Sequence, residues 1–178
     1  ILFKQLSLYK LRSKVEILNL SNEFVIAVIS KERFLDIENS NSKAGCTIKF
    51  REDSIFLDPR NIELGARIVT NLEKLYLSLK KLGLQSADTN EYYKLSHEIG
   101  IQQINTEKLQ NKLFGIECNF DVLNAIDFKK GCYVGQENTA RIKLKDKLNK
   151  RLLPIEVIEG DLGNDIISVE KDEIGKVL

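Results

Sequence analysis

Between Asn61 and Leu82, the residues Ile68, Leu72, Leu75, Leu79 and Leu82 follow one another at steps of four and three. That spacing lines apolar side chains along one stripe of an α-helix. It predicts a helix over Asn61–Leu82, with Lys80 and Lys81 in the last turn and Gly83 placed to end it. A helix with one apolar stripe must bury it against a second layer. Val15–Leu20 alternates and Phe24–Ile29 is a run of β-formers, with Ser21-Asn22-Glu23 between them, which predicts a hairpin. Thr47–Phe50 and Ser54–Leu57 flank Arg51-Glu52-Asp53 and predict a second hairpin, ended at Asp58-Pro59-Arg60 because proline cannot donate to a ladder. Helical spacing over residues 2–11 reads as the end of another helix. Asp88 followed by Glu91 reads as a capping box opening a helix through about Ile99, stopped by Gly100. Downstream, Leu152–Ile158 and Ile166–Val169 are strand candidates, and Ile174–Leu178 reads as a strand cut short. The class is α+β.

Composition narrows the function. Hydrophobic residues make up 43% and charged residues 30% of the 178, so a packed core is expected rather than disorder. Net charge is +1, which offers no global field for nucleic acid or an anionic membrane. No apolar run approaches the ~18 residues of a membrane span, and the first residues lack the layout of a signal peptide. The three cysteines, Cys46, Cys118 and Cys132, form no C-x-x-C pair and are odd in number. They suit neither a disulfide framework, a structural zinc site nor a cluster bound by four thiolates. No metal site is expected, and a reducing, cytoplasmic location is.

The densest chemistry lies in "KKGCYVGQE", Lys129–Glu137. Two readings of it stand side by side. Gly131 and Gly135 suit backbone conformations at positive φ, and Cys132 then serves as a small buried hydrophobe. Alternatively, Lys130 and a following helix N-terminus lower the thiol pKa and make Cys132 a reactive thiolate. A helix from Gln136 through Arg141 would pair Glu137 with Arg141 at i, i+4. The alternation of Ala140, Ile142 and Leu144 argues for a strand instead. The only histidine, His97, is the one candidate partner for a Cys–His dyad and equally suits a helix surface. No phosphate loop or dinucleotide fingerprint is present. Cys46 and Cys118 read as structural, and the basic run Lys143–Lys147 with Lys150 and Arg151 reads as a solvated face.

K-G-C-Y-V-G-Q-E resembles the signature of the YgfZ family, folate-binding proteins related to the glycine-cleavage T-protein. "LYKLRSKVEI" (8–17), "LDPRNIELGARI" (57–68), "LNAIDFKKGCYVGQENTAR" (123–141) and "NKRLLPIEV" (149–157) are similar as well, so the resemblance covers nearly all of residues 1–157. It implies a T-protein-like folate-binding body of hairpins and helices over residues 1–146, without the family's N-terminal part, and the beginning of a C-terminal β-barrel over 147–178. It implies tetrahydrofolate or a related reduced folate as ligand. It places the signature thiol at Cys132 and the motif lysine at Lys130, with Gly131, Tyr133, Gly135, Gln136, Glu137 and Arg141 forming the folate side of the site. Where the family commonly has an arginine before a Gly-Ile pair, Ser96-His97-Glu98 precede Gly100-Ile101 here.

The role this implies is assembly or repair of iron–sulfur proteins, including enzymes that modify tRNA. The chain then acts as a monomeric accessory factor rather than a turnover enzyme. Its partners would be iron–sulfur client or assembly proteins, with no stable nucleic-acid binding and no membrane. Two alternatives come from other classes. One is an aminomethyltransferase of the T-protein type, which depends on an acidic residue near the folate. The other is a scaffold that binds a partner protein and no folate.

Overall fold

The computed structural model describes residues 2–50, 52–104, 106–109, 112–131, 136–145, 148–160, 166–169 and 172–177. The fold is α+β with antiparallel sheets, as the pattern of elements predicts. Among the described residues no closed barrel forms. The chain divides into two compact units, Ile1–Ser86 and Ala87–Leu178.

The first unit is built on a four-stranded sheet. In chain order it contains helix α1 (Leu2–Tyr9), strand β1 (Val25–Ile29), helix α2 (Lys31–Leu35), strands β2 (Thr47–Phe50), β3 (Asp53–Leu57) and β4 (Ala66–Thr70), and helix α3 (Leu72–Leu82). The strands lie in the order β1-β4-β3-β2, all antiparallel. The hairpin predicted at Thr47–Leu57 is present, with Glu52 at φ 71° in its turn. The register brings Ala27, Ile68, Ile55 and Ile48 into one row across the sheet. Side chains two apart share a face, so Ile29, Ala66 and Leu57 form the next row on the same side. Phe34 of α2 covers that face and is fully buried with Ile55, Leu57, Ala66 and Ile68. Ser30 caps α2 by accepting from the Arg33 N–H.

Two expectations for this unit are corrected. Residues 15–20 form no strand, and β1 pairs with β4, some 40 residues away in sequence, instead of with a neighbour. The helix expected over Asn61–Leu82 begins only at Leu72. Residues Ile62–Leu64 are a single 3-10 turn, and Ile68 belongs to β4. Two local features enforce the break. Gly65 sits at φ 76° and ψ −161°, outside any helix, and the Asn71 side chain accepts from the Lys74 N–H to start α3 afresh. The far end of the helix agrees with the sequence, since Gly83 closes it in a left-handed conformation. Along α3 the stripe is only partly covered: Leu72 and Tyr76 are exposed and, with Leu75 and Leu79, line an apolar cavity of about 670 Å³.

The second unit carries helix α4 (Thr89–Glu98), helix α5 (Gln136–Lys145) and the antiparallel pair β5 (Ile166–Val169) and β6 (Asp172–Lys176). Asp88 caps α4 by accepting from the Asn90 N–H, and Gly100, at φ 77°, follows its end. Between α4 and α5 the chain turns repeatedly. Asn119 and Asn124 take left-handed conformations, at φ 64° and 56°, which asparagine tolerates better than most residues. The strand expected at Leu152–Ile158 is not formed. Of that segment's backbone, the Leu152 N–H donates to the Glu117 carbonyl, away from any ladder.

Candidate functional site

The motif lies between a turn and a helix. Asp127 accepts from the Lys129 N–H through its side chain, shaping the turn at Phe128–Lys130. On the other side α5 starts at Gln136, so the helical alternative for this stretch holds and the strand alternative does not. Burial shows why the alternation misleads. Ala140 and Ile142 are half-buried, but Leu144 is almost fully exposed, so the three share no buried face. Glu137 stands in the first turn of α5, where a carboxylate complements the helix dipole.

Of the eight expected site residues, Lys130, Gly131, Glu137 and Arg141 are described and all four are exposed. Cys132, Tyr133 and Gly135 lie outside the described residues, and so does the side chain of Gln136. One expectation is corrected. Gly131 does not occupy a positive φ, and a Cβ built there would meet nothing within 4 Å. Among the described residues, neither backbone strain nor crowding therefore requires glycine at 131.

Lys143 on α5 reaches back across this region. Its Nζ lies 5.4 Å from the centroid of the Phe128 ring and 3.7 Å from Asp121 Oδ2. Arg151 Nη2 lies 3.5 Å from the same oxygen, and Arg151 Nη1 donates to Asn119 Oδ1 at 2.8 Å. Part of the basic run read as a solvated face is therefore engaged with the protein through Lys143 and Arg151. Neither charge nor position near the motif could have identified Asp121 in the sequence, because its partners lie 22 and 30 residues downstream.

The other two thiols behave as structural residues. Cys46 packs half-buried against the core of the first unit. Burial pushes the Cys118 thiol up, and the adjacent Glu117 carboxylate adds to the shift, so Cys118 stays protonated at neutral pH. His97 is half-buried on α4, not on an open helix surface. Its Nε2 is buried with no hydrogen-bond partner among the described residues. It lines a cavity of about 1040 Å³ with Tyr93, Ile101, Gln102, Pro154 and Ile155. None of Lys130, Gly131, Glu137 and Arg141 lines that cavity or the one against α3. Among the described residues, no group of three or more His, Cys, Asp or Glu side chains is placed to hold a metal ion.

No family model matches the chain. It does have clear relatives among characterised proteins. It is 30% identical over 148 residues to the mitochondrial iron–sulfur cluster assembly factor IBA57 homolog of Dictyostelium discoideum, covering 83% of this chain and 36% of that protein. It is 29% identical over 160 residues to the mitochondrial iron–sulfur cluster assembly factor IBA57 of Mus musculus, covering 89% of this chain and 42% of that protein. Against the mitochondrial IBA57 homolog of Neurospora crassa it is 37% identical over 97 residues, 54% of this chain and 22% of that protein. The chain thus spans well under half the length of the relatives it matches. All of these relatives are named mitochondrial, which overturns the expectation of a cytoplasmic protein. Free cysteines report a reducing compartment; they do not separate one reducing compartment from another. Among the described residues, no helix is long and apolar enough to cross a membrane.

Proposed function

We propose that this chain is part of a mitochondrial iron–sulfur cluster assembly factor, and that Cys132 is its working thiol. The carrying observation is the similarity to assembly factors over 83% of the chain. The K-G-C-Y-V-G-Q-E segment supports the placing of the site. The narrower likeness to the YgfZ family belongs to the same reading, with iron–sulfur proteins and the enzymes that assemble them as partners. Enzymes that modify tRNA are the clients to examine first.

The chemistry follows from position. Cys132 lies two residues after Lys130 and four before the first residue of α5. Cations and helix N-termini both favour a thiolate over a thiol. A thiolate is the form that ligates iron or attacks a disulfide, so this site suits a transient bond to a cluster in transit or to a client's oxidised sulfur. Lys130 serves as the cationic neighbour. Replacing Cys132 with alanine is expected to leave folding unchanged and to reduce maturation of a mitochondrial iron–sulfur enzyme to the level of cells lacking the gene. Enzyme activity and cluster content in complemented cells measure this, and wild-type levels in the variant would refute the thiol's role.

A reduced folate is the proposed ligand. Gly131, Glu137 and Arg141 are exposed and enclose no cavity by themselves, so the described residues do not form a complete folate pocket. The proposal is therefore that these residues, with Tyr133, Gly135 and Gln136, give one wall of a pocket whose other walls lie elsewhere in the whole protein. Titration calorimetry of the full-length protein with tetrahydrofolate is expected to show saturable binding, weakened about tenfold by Arg141→Ala if that guanidinium meets a folate carboxylate. Absence of heat and of any thermal shift would remove folate from the reading and leave the assembly role standing.

A further inference from the structure

A functional side chain is held in place only when the elements around it are themselves held. In sequence, the described elements around Cys132 are the turn at Phe128–Lys130 and α5. Lys143 is positioned to join them. It stands two turns into α5, and its ammonium lies 5.4 Å from the Phe128 ring centroid, within cation–π range. The same ammonium lies 3.7 Å from Asp121 Oδ2.

Asp121 is the centre of this arrangement. Its side chain is only 9% exposed, and Oδ1 has no hydrogen-bond partner among the described residues. A buried carboxylate is costly unless cations compensate it. Here Lys143 and Arg151 do so, both approaching Oδ2. Arg151 is itself fixed. It donates to Asn119 Oδ1, the Asn119 amide donates to the Leu152 carbonyl at 2.7 Å, and the Leu152 N–H donates to the Glu117 carbonyl at 2.9 Å. The charge pair therefore connects α5 to a hydrogen-bonded network on the 117–121 turn, not to a free surface group.

We propose that Asp121 and Lys143 are positioning residues that tie Phe128 to α5, the two described elements that flank the Cys132 motif in sequence. The inference rests on the reading of Cys132 as the working thiol. The brace itself rests on the geometry of Phe128, Asp121, Lys143 and Arg151 alone. It gives the exposed α5 lysine a role that its charge count does not suggest.

Lys143 is half-exposed, so its replacement tests the brace without threatening the fold. In the full-length protein, Lys143→Ala is expected to raise amide hydrogen exchange over 126–131 and in α5 by roughly tenfold, with no change in the sheet of the first unit. The same variant is expected to lower iron–sulfur enzyme maturation severalfold. Lys143→Arg is expected to restore both, because a guanidinium keeps the charge pair and stacks on the ring. Unchanged exchange in Lys143→Ala overturns the brace. Raised exchange with wild-type maturation, or failure of Lys143→Arg to rescue, overturns its positioning role. Full activity of Cys132→Ala, measured alongside, overturns the thiol reading and not the brace, which the exchange measurement decides separately.

Discussion

Alanine at position 65 is expected to destabilise the four-stranded sheet severely. Gly65 holds φ 76° and ψ −161°, a conformation essentially confined to glycine. That region alone costs another residue on the order of 1–3 kcal/mol. The larger effect is steric. A Cβ at 65 would lie 2.0 Å from the Ile29 carbonyl oxygen and 3.3 Å from the Ser30 Cα. Both are backbone atoms at the junction of β1 and α2, where Ile29 pairs with Ala66 and Ser30 caps the helix that carries Phe34. Relief requires moving β1 away from β4 or displacing α2 from the core. The total is expected to exceed about 4 kcal/mol, against a whole-domain stability of about 5–15 kcal/mol. Gly83→Ala is the matched control. Gly83 is left-handed at φ 61°, but a Cβ there meets nothing within 4 Å, so its cost is expected near 1 kcal/mol. Denaturant unfolding of the two variants should separate them clearly, and equal midpoints would refute the steric account.

Gly65 also shows what the sequence could and could not reveal. The four-and-three spacing from Ile68 onward is real, but Ala66, Ile68 and Thr70 satisfy a period of two equally well, and all three are buried. A stretch of five residues cannot choose between the two periods. Gly65 and Asn71 bracket the strand and were the local signals that should have outweighed the stripe. β1 illustrates a different limit. Its β-formers are legible, but its partner is set by a register between residues 25–29 and 66–70 that no local pattern encodes. The hairpin of β2 and β3 was legible because both strands and the turn lie within 11 residues.

At the candidate site the legible part is the motif itself and the start of α5 at Gln136. What sequence reading missed is tertiary. The burial of Asp121 and the reach of Lys143 over Phe128 depend on how the 114–125 turns place their side chains, and those turns follow from asparagines at positive φ and a close Gly115–Phe120 approach. The glycine argument also failed at one of its two positions. Gly131 does not take a positive φ, so its backbone does not require glycine.

The second large effect is expected at Asp58. Its side chain is 1% exposed and accepts three hydrogen bonds from Arg60: the backbone N–H and Nε to Oδ1, and Nη2 to Oδ2 at 2.8 Å. Arg67 Nε lies 3.1 Å from Oδ2. Arg67 stands on β4 and Asp58 directly follows β3, so the carboxylate joins the end of the hairpin to the next strand. The Asp58 N–H donates to the Gly65 carbonyl, which ties this latch to Gly65. Burial works against the charged form of Asp58, but the Arg60 hydrogen bonds and the charges of Arg60 and Arg67 outweigh it and hold the carboxyl below the usual carboxylate range. The sign of the pH effect follows. The unfolded chain takes up this proton at higher pH than the folded one, so Asp58 stabilises the fold fully above about pH 4 and loses that contribution as the pH falls below it. Asp58→Asn removes the charge and leaves two arginines facing a neutral amide, at a cost of about 3–5 kcal/mol. Because both arginines are about a quarter exposed and can recover water, the lower part of that range is expected. The variant should lose stability near pH 7 and show a shallower decline below about pH 4 than the wild type. Urea midpoints measured across that range decide it. A variant that matches the wild type near pH 7 would show that Asp58 contributes little net energy. An acid decline as steep in the variant as in the wild type would assign the acid sensitivity to other carboxylates.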